Sequence, residues 1–148
     1  MKTDETSSAR ILLVDDNKLG LTARQMILEE AGYDVKTATS GEEAWEIFQT
    51  TQFDVVVTDF RMGGMDGLQL IRMIRDSGSP ARIMLLSGFA ECLGMTPESS
   101  GADEVLAKSN KEVPELLRAV KRLANQPPPR RSATSARPRL VKRKSSAV

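Results

Sequence analysis

The stretch Val55-Val56-Val57-Thr58-Asp59-Phe60-Arg61-Met62-Gly63-Gly64-Met65-Asp66-Gly67 joins a β-branched apolar run to a carboxylate and then to a glycine-rich turn. The run reads as a buried strand. Asp59 at its end is held by rigid backbone and still faces water. Three more apolar runs deliver polar groups in the same way. Ile11-Leu12-Leu13-Val14 ends in Asp15-Asp16, Ile83-Met84-Leu85-Leu86 in Ser87, and Val105-Leu106-Ala107 in Lys108.

Helical periodicity fills the gaps between these runs. Strands are expected at 10–14, 35–38, 54–58, 82–86 and 104–107. The first helix starts near Asn17, with Leu19, Ala23, Met26, Ile27 and Glu30 at helical spacing and Gly32 closing it. The second opens at Ser40 with Glu43 three residues on, a capping-box signature, and turns Ala44, Ile47 and Phe48 inward. The third covers about 68–76, with Asp66 read as its cap. The last starts near Pro114, a residue suited to the first helical turn, and carries Leu116, Leu117, Val120 and Leu123. Residues 89–100 form the weak member: Gly94 and Pro97 predict a short or broken helix there.

Alternating strands and helices build an α/β fold, a doubly wound parallel sheet covered on both faces. In such sheets a ligand binds outside the carboxyl ends of the strands, where strand order reverses. That rule gathers Asp15, Asp16, Asp59, Ser87 and Lys108 in one crevice.

Composition narrows the chemistry. The 148 residues have one cysteine, Cys92, and no histidine. Histidine catalysis, histidine metal ligation and a phosphohistidine on this chain are excluded. A lone cysteine suits a reducing cytoplasm. The polar stretch Met1 to Ala9 does not read as a signal peptide, and no apolar run is long enough to span a bilayer. The net charge of +1 conceals a split. Seven of the 21 basic residues follow Asn125, whereas all 20 acidic residues precede it, which leaves 14 basic against 20 acidic in the body. Residues 9–125 are therefore read as the folded domain. Residues 126–148, opened by Pro127-Pro128-Pro129, are read as a disordered basic tail able to attract a weak anionic partner.

Three carboxylates close together need a cation. Oxygen ligands completed by water and phosphate suit Mg²⁺, with the adjacent Asp15 and Asp16 turning to one ion. Asp59, the most central, is the candidate nucleophile for an acyl phosphate. Lys108 is a point charge for Asp59 and for phosphoryl oxygens, and the Ser87 hydroxyl is a donor to another oxygen. Trp45 and Phe48 are read as packing, and Tyr33 as a turn and edge contact.

The residues from Arg10 to Ala124 resemble the receiver domain of two-component response regulators, in the Asp15-Asp16 pair, Asp59 before the Met62-Gly63-Gly64-Met65-Asp66-Gly67 turn, Ser87-Gly88, and Gly101-Ala102-Asp103 leading to Lys108. The resemblance implies the flavodoxin-like (βα)5 arrangement, five strands in the order 2-1-3-4-5. It implies that Asp59 takes a phosphoryl group from the phosphohistidine of a sensor histidine kinase or histidine phosphotransfer protein. Mg²⁺ would lie on Asp15 or Asp16, Asp59 and the Arg61 backbone carbonyl, with Ser87 and Lys108 on the phosphoryl group. With a tail too short for an output domain and a cysteine content suited to the cytoplasm, the expectation is a cytoplasmic single-domain response regulator rather than an enzyme, acting on a downstream protein by contact, with a homodimer left open. Departures from the family pattern are Val105 in place of an aromatic, Ser109 in place of proline and Gly63 in place of proline. Arg61 and Phe89 flank the site and predict slow hydrolysis of the acyl phosphate. Two other classes are weighed: a receiver-like interaction module not switched by phosphorylation, and an aspartate-based phosphatase. The phosphatase wants a second Asp where Arg61 stands.

Overall fold

A computed structural model of the chain describes residues 9–88, 94–108 and 112–125. Along it run β1 (Arg10–Val14), α1 (Lys18–Glu30), β2 (Asp34–Ala38), α2 (Gly41–Thr50), β3 (Val55–Asp59), α3 (Gly67–Asp76), β4 (Arg82–Ser87), α4 (Pro97–Ser100), β5 (Glu104–Ala107) and α5 (Glu112–Asn125). The strands pair in parallel in the order β2-β1-β3-β4-β5. This is the doubly wound α/β sheet that the alternation of patterns implies. Register sets Val14 opposite Thr58, Asp59 opposite Leu86 and Ser87 opposite Ala107. The carboxyl ends of the central strands therefore form one row.

Two apolar layers sandwich the sheet. Leu12, Val14, Val56, Ile83 and Leu85 face Ala44 of α2 and Leu70, Ile71 and Ile74 of α3. Ile11, Leu13, Val55, Val57, Met84 and Leu86 face Leu21 and Leu28 of α1 and Leu116, Val120 and Leu123 of α5. Residues of one strand alternate between the layers because successive side chains leave opposite faces. Each fully buried Leu or Ile contributes roughly 1.5–3 kcal/mol, so these layers hold the strand ends in place. β5 differs from the expected buried run: its four residues are all half-buried, because it is an edge strand.

Local signals set the helix starts. The Asn17 side chain caps α1 and the Ser40 side chain caps α2. The predicted reciprocal box at Ser40 is modified, because Glu43 accepts from the Thr39 amide, one residue earlier. Asp66 and Gln69 form a full capping box on α3. Pro97 opens α4 at its first turn, behind a Thr96 cap, rather than breaking a helix interior. α5 begins two residues before Pro114.

α1 corrects the sequence reading. Leu19 is 85% exposed and Met26 is 64% exposed, while Leu21, Arg24 and Leu28 face the sheet. Leu19/Met26 and Leu21/Leu28 are each seven residues apart, so helical spacing fits both stripes equally. Docking on β1 and β2 selects the second. Trp45 and Phe48 stack at 6.0 Å and pack on the core, and half-buried Tyr33 packs against the opposite layer.

Candidate functional site: an acidic pocket at the strand ends

β1 and β3 run through the middle of the sheet, and their carboxyl ends carry Asp15 and Asp59 side by side. Both are almost fully buried, at 1% and 6% exposure, whereas Asp16 is exposed. One carboxylate oxygen from each of the three lies within 4.8 Å of the others. Lys108, one residue past β5, sends its Nζ to 2.8 Å from Asp59 Oδ1 and 3.8 Å from Asp15 Oδ2. The Lys108 amide donates to the Ser87 carbonyl at 2.8 Å, which anchors the segment that carries the ammonium. Asp15, Asp16, Asp59 and Lys108 are thus brought together. Ser87 closes β4, and its buried Oγ has no hydrogen-bond partner among the described residues.

Backbone donors orient the carboxylates. The Phe60 amide donates to Asp59 Oδ1 at 3.0 Å, and the Asn17 amide donates to Asp15 Oδ1 at 2.9 Å. Burial raises the Asp59 pKa, and the Asp15 charge adds to the rise. Lys108 and the Phe60 amide oppose it without cancelling it. Asp59 is thus a buried carboxylate paired with one ammonium, next to Asp16, an acidic neighbour that opens to solvent. Oxygen-only donors of this number and spacing fit a small divalent cation such as Mg²⁺.

The turn after β3 shapes the rim. The Gly67 amide donates to the Phe60 carbonyl at 2.8 Å, and a Cβ at Gly67 would stand 2.3 Å from the Asp59 carbonyl oxygen. Only glycine lets α3 begin this close to Asp59. Gly64 takes φ +77°, and the Met65 amide donates to Glu42 on α2, so the turn is tied down on both sides. An open depression of about 400 Å³ beside Asp16 is lined by Phe60, Arg61, Met62, Gly63, Gly64 and Asp66. Exposed Arg61 lies over the Phe60 ring, with its guanidinium 5.7 Å from the centroid. A larger cleft, about 500 Å³, lies at the opposite end of the strands among Arg10, Asp54, Pro80, Arg82 and Leu123. It contains none of the residues singled out for chemistry. Phe89, Cys92 and Ser109 lie outside the described residues, as does the stretch 126–148.

One participant escaped the sequence reading. Arg24 of α1 is buried beside the pocket, donating to Asp15 Oδ2 at 2.7 Å and, from Nε, to Glu112 at the start of α5. Burial works against its charge, but the Glu112 and Asp15 carboxylates outweigh that, and the Arg24 pKa lies above its ordinary value. The available signal was an arginine inside the apolar stripe Leu21-x-x-Arg24-x-x-x-Leu28.

Comparison with known proteins agrees with this geometry. Residues 11–121 match the response regulator receiver domain. The alkaline phosphatase synthesis transcriptional regulatory protein of Bacillus subtilis is 34% identical over 119 residues, covering 76% of this chain and 48% of the regulator. The chain spans about half the length, or less, of the curated relatives it matches. Among solved structures, a response regulator receiver domain protein from Clostridium thermocellum superposes with a TM-score of 0.72 at 29% identity, over 79% of this chain and 94% of that one. A response regulator from Thermotoga maritima, solved in complex with Mg(2+)-BeF, gives a TM-score of 0.66 at 35% identity, over 78% of this chain and 98% of that one. With an all-parallel 2-1-3-4-5 sheet, an acidic cluster at its carboxyl edge and a family match over most of its length, this chain belongs to the response regulator receiver domain family of two-component signal transduction.

Proposed function

We propose that Asp59 is the phosphoacceptor of this receiver domain. An Asp59 carboxylate oxygen attacks the phosphorus of a phosphohistidine on a sensor histidine kinase or histidine phosphotransfer protein. The P–N bond breaks, the imidazole leaves and takes up a proton, and an acyl phosphate remains on Asp59. The carrying observation is the Lys108 ammonium 2.8 Å from Asp59 inside the acidic cluster. It offers a fixed counter-charge to the carboxylate before transfer and to the phosphoryl oxygens after it. Asp16 and Asp59, with the Arg61 backbone carbonyl, are the proposed Mg²⁺ ligands. Bound Mg²⁺ supplies charge neutralisation for the incoming phosphoryl group. Asp15 is the other carboxylate proposed for the ion: its oxygens accept from Asn17 and Arg24, and one of them lies within 4.8 Å of the Asp16 and Asp59 ligand oxygens. The Ser87 Oγ, buried and without a hydrogen-bond partner among the described residues, is the proposed donor to a phosphoryl oxygen.

The proposed signalling unit is residues 9–125, working in the cytoplasm by contact with a downstream protein rather than by turning over a substrate. Residues 126–148 are a basic segment for a weak anionic partner. Arg61 and Phe89 are proposed to hinder the water that hydrolyses the acyl phosphate. Pairing Arg61→Asn with Phe89→Glu shortens the phosphoryl lifetime on that reading, and an unchanged decay rate removes it.

The direct test uses a small acyl- or amido-phosphate donor with Mg²⁺. Intact-mass measurement is expected to show gain of one phosphoryl group, lost in Asp59→Asn. A chain that takes up no phosphoryl group from small donors or from phosphohistidine proteins is instead an interaction module not switched by phosphorylation.

A further inference from the structure

Arg24 is a cation in an apolar stripe, with buried Leu21 and Leu28 on either side and 9% of its own surface exposed. A buried guanidinium is costly unless carboxylates and hydrogen bonds compensate, and an apolar side chain of similar volume often serves the fold as well. Here the compensation comes from two carboxylates far apart in sequence. One is Asp15 at the end of β1, at 2.7 Å. The other is Glu112, 88 residues away from Arg24 and the first residue of α5, whose side chain is 14% exposed. Gly20 leaves room for the arrangement: a Cβ there would stand 3.3 Å from Arg24 Nη1 and 3.7 Å from Asp15 Oδ2. The end of β1, the middle of α1 and the start of α5 thus meet on one side chain at the wall of the acidic pocket.

We propose that Arg24 is a positioning residue that couples occupancy of the acidic pocket by a divalent cation to the first turn of α5, through Asp15–Arg24–Glu112. The inference rests on the proposed Mg²⁺ site. Its direction follows from charge. Asp15 Oδ2 is shared between Arg24 at 2.7 Å and Lys108 at 3.8 Å. A divalent cation beside Asp16 and Asp59 repels both basic groups and draws on Asp15, so Asp15 loosens its hold on Arg24. The guanidinium then transfers its interaction to Glu112, the other carboxylate within reach. Coupling of this kind is reciprocal, so a change at Glu112 alters cation affinity. Glu112→Gln leaves the whole Arg24 charge facing Asp15 and makes the pocket more positive, which disfavours the cation.

The test is calorimetric titration of the full chain with Mg²⁺, together with amide hydrogen exchange over residues 112–116. Glu112→Gln is expected to weaken Mg²⁺ binding by about fivefold. Glu115→Gln, which removes the same charge from the same turn of α5, is expected to stay within about twofold of wild type. In the wild-type chain Mg²⁺ is expected to change protection of the first turn of α5, and that response is expected to vanish in Glu112→Gln. Arg24→Lys keeps the charge but has no fork to span two carboxylates. It is expected to lose the α5 response as well, and it reads the coupling independently if Glu112→Gln folds poorly. A merely structural Arg24–Glu112 pair lowers thermal stability and leaves Mg²⁺ affinity and the Mg²⁺-dependent exchange as in wild type, and that result overturns the proposal. Equal weakening in Glu112→Gln and Glu115→Gln overturns it too, by reducing the effect to net charge. A wild-type chain that binds no Mg²⁺ at all removes the metal site itself, and the coupling with it.

Discussion

The Lys108 ammonium sits 2.8 Å from Asp59 Oδ1 although the two residues are 49 positions apart and at the ends of strands separated by β4. Lys108, the residue after β5, reaches back across the end of β4, and its amide donates to the Ser87 carbonyl. A fixed cation at this distance favours negative charge on Asp59 and on whatever Asp59 carries. Removing it with Lys108→Ala is expected to slow phosphorylation by a small donor by about a hundredfold, the usual cost of one preorganised charge donor. Initial rates from intact-mass time courses measure this. A rate equal to wild type would place Lys108 outside the chemistry.

Burial raises the Asp59 pKa in the folded chain, so protons bind there more tightly than in the unfolded chain. For a carboxylate raised in this way, folding stability is unaffected below the ordinary carboxylate pKa. It is lost as pH rises from that value through the raised one. Asp59→Asn carries no such penalty. In metal-free buffer it is expected to unfold at a higher denaturant midpoint than wild type at pH near 7, with the gap closing on acidification below the ordinary carboxylate range of about 3.9. Urea titrations at several pH values decide the matter, and a less stable Asp59→Asn at neutral pH would mean that the Lys108 ion pair outweighs burial.

The same crowding of negative charge makes stability sensitive to divalent cations. With three carboxylate oxygens within 4.8 Å, Mg²⁺ at a hundred times its dissociation constant is expected to add about 2.7 kcal/mol to folding stability. Chelator reverses the gain. Asp16→Asn, a change at the exposed member of the trio, is expected to abolish it while leaving the metal-free folding stability within about 0.5 kcal/mol of wild type. Thermal melts with Mg²⁺ and with chelator measure both quantities.

Glycine is required at one point of the rim and dispensable at another. A Cβ on Gly67 meets the Asp59 carbonyl oxygen at 2.3 Å, and that atom is backbone with no flexible side-chain end to yield. Gly67→Ala is expected to cost about 3 kcal/mol, the upper end for overpacking, and to displace Asp59. Beyond its chain neighbours, Gly63 has no atom of the described residues within 4 Å of its would-be Cβ, so Gly63→Ala is expected to stay within about 0.5 kcal/mol of wild type. Denaturant unfolding of the two variants gives the contrast.

The order of elements was legible in the sequence because two periodicities, apolar runs and helical stripes, are local properties of the chain. Caps at Ser40 and Asp66 needed only the residue type and its position before a helix. Asp15, Asp16, Asp59, Ser87 and Lys108 were legible for a related reason: in a parallel sheet every strand ends on the same edge, so any residue closing a strand is delivered there. Tertiary packing alone settled the rest. The face that α1 turns inward was undecidable from spacing, since Leu19/Met26 and Leu21/Leu28 have the same period, and contact with β1 and β2 chose between them. β5 lost its expected full burial because it lies at the sheet edge. Arg24 was invisible as part of the pocket because its two partners come from the end of β1 and the start of α5, and no local pattern encodes a contact between residues 88 positions apart. What the chain declares one segment at a time is which groups it carries and which edge they reach; which of them share a charge is decided only when helices dock and distant carboxylates compete for one buried cation.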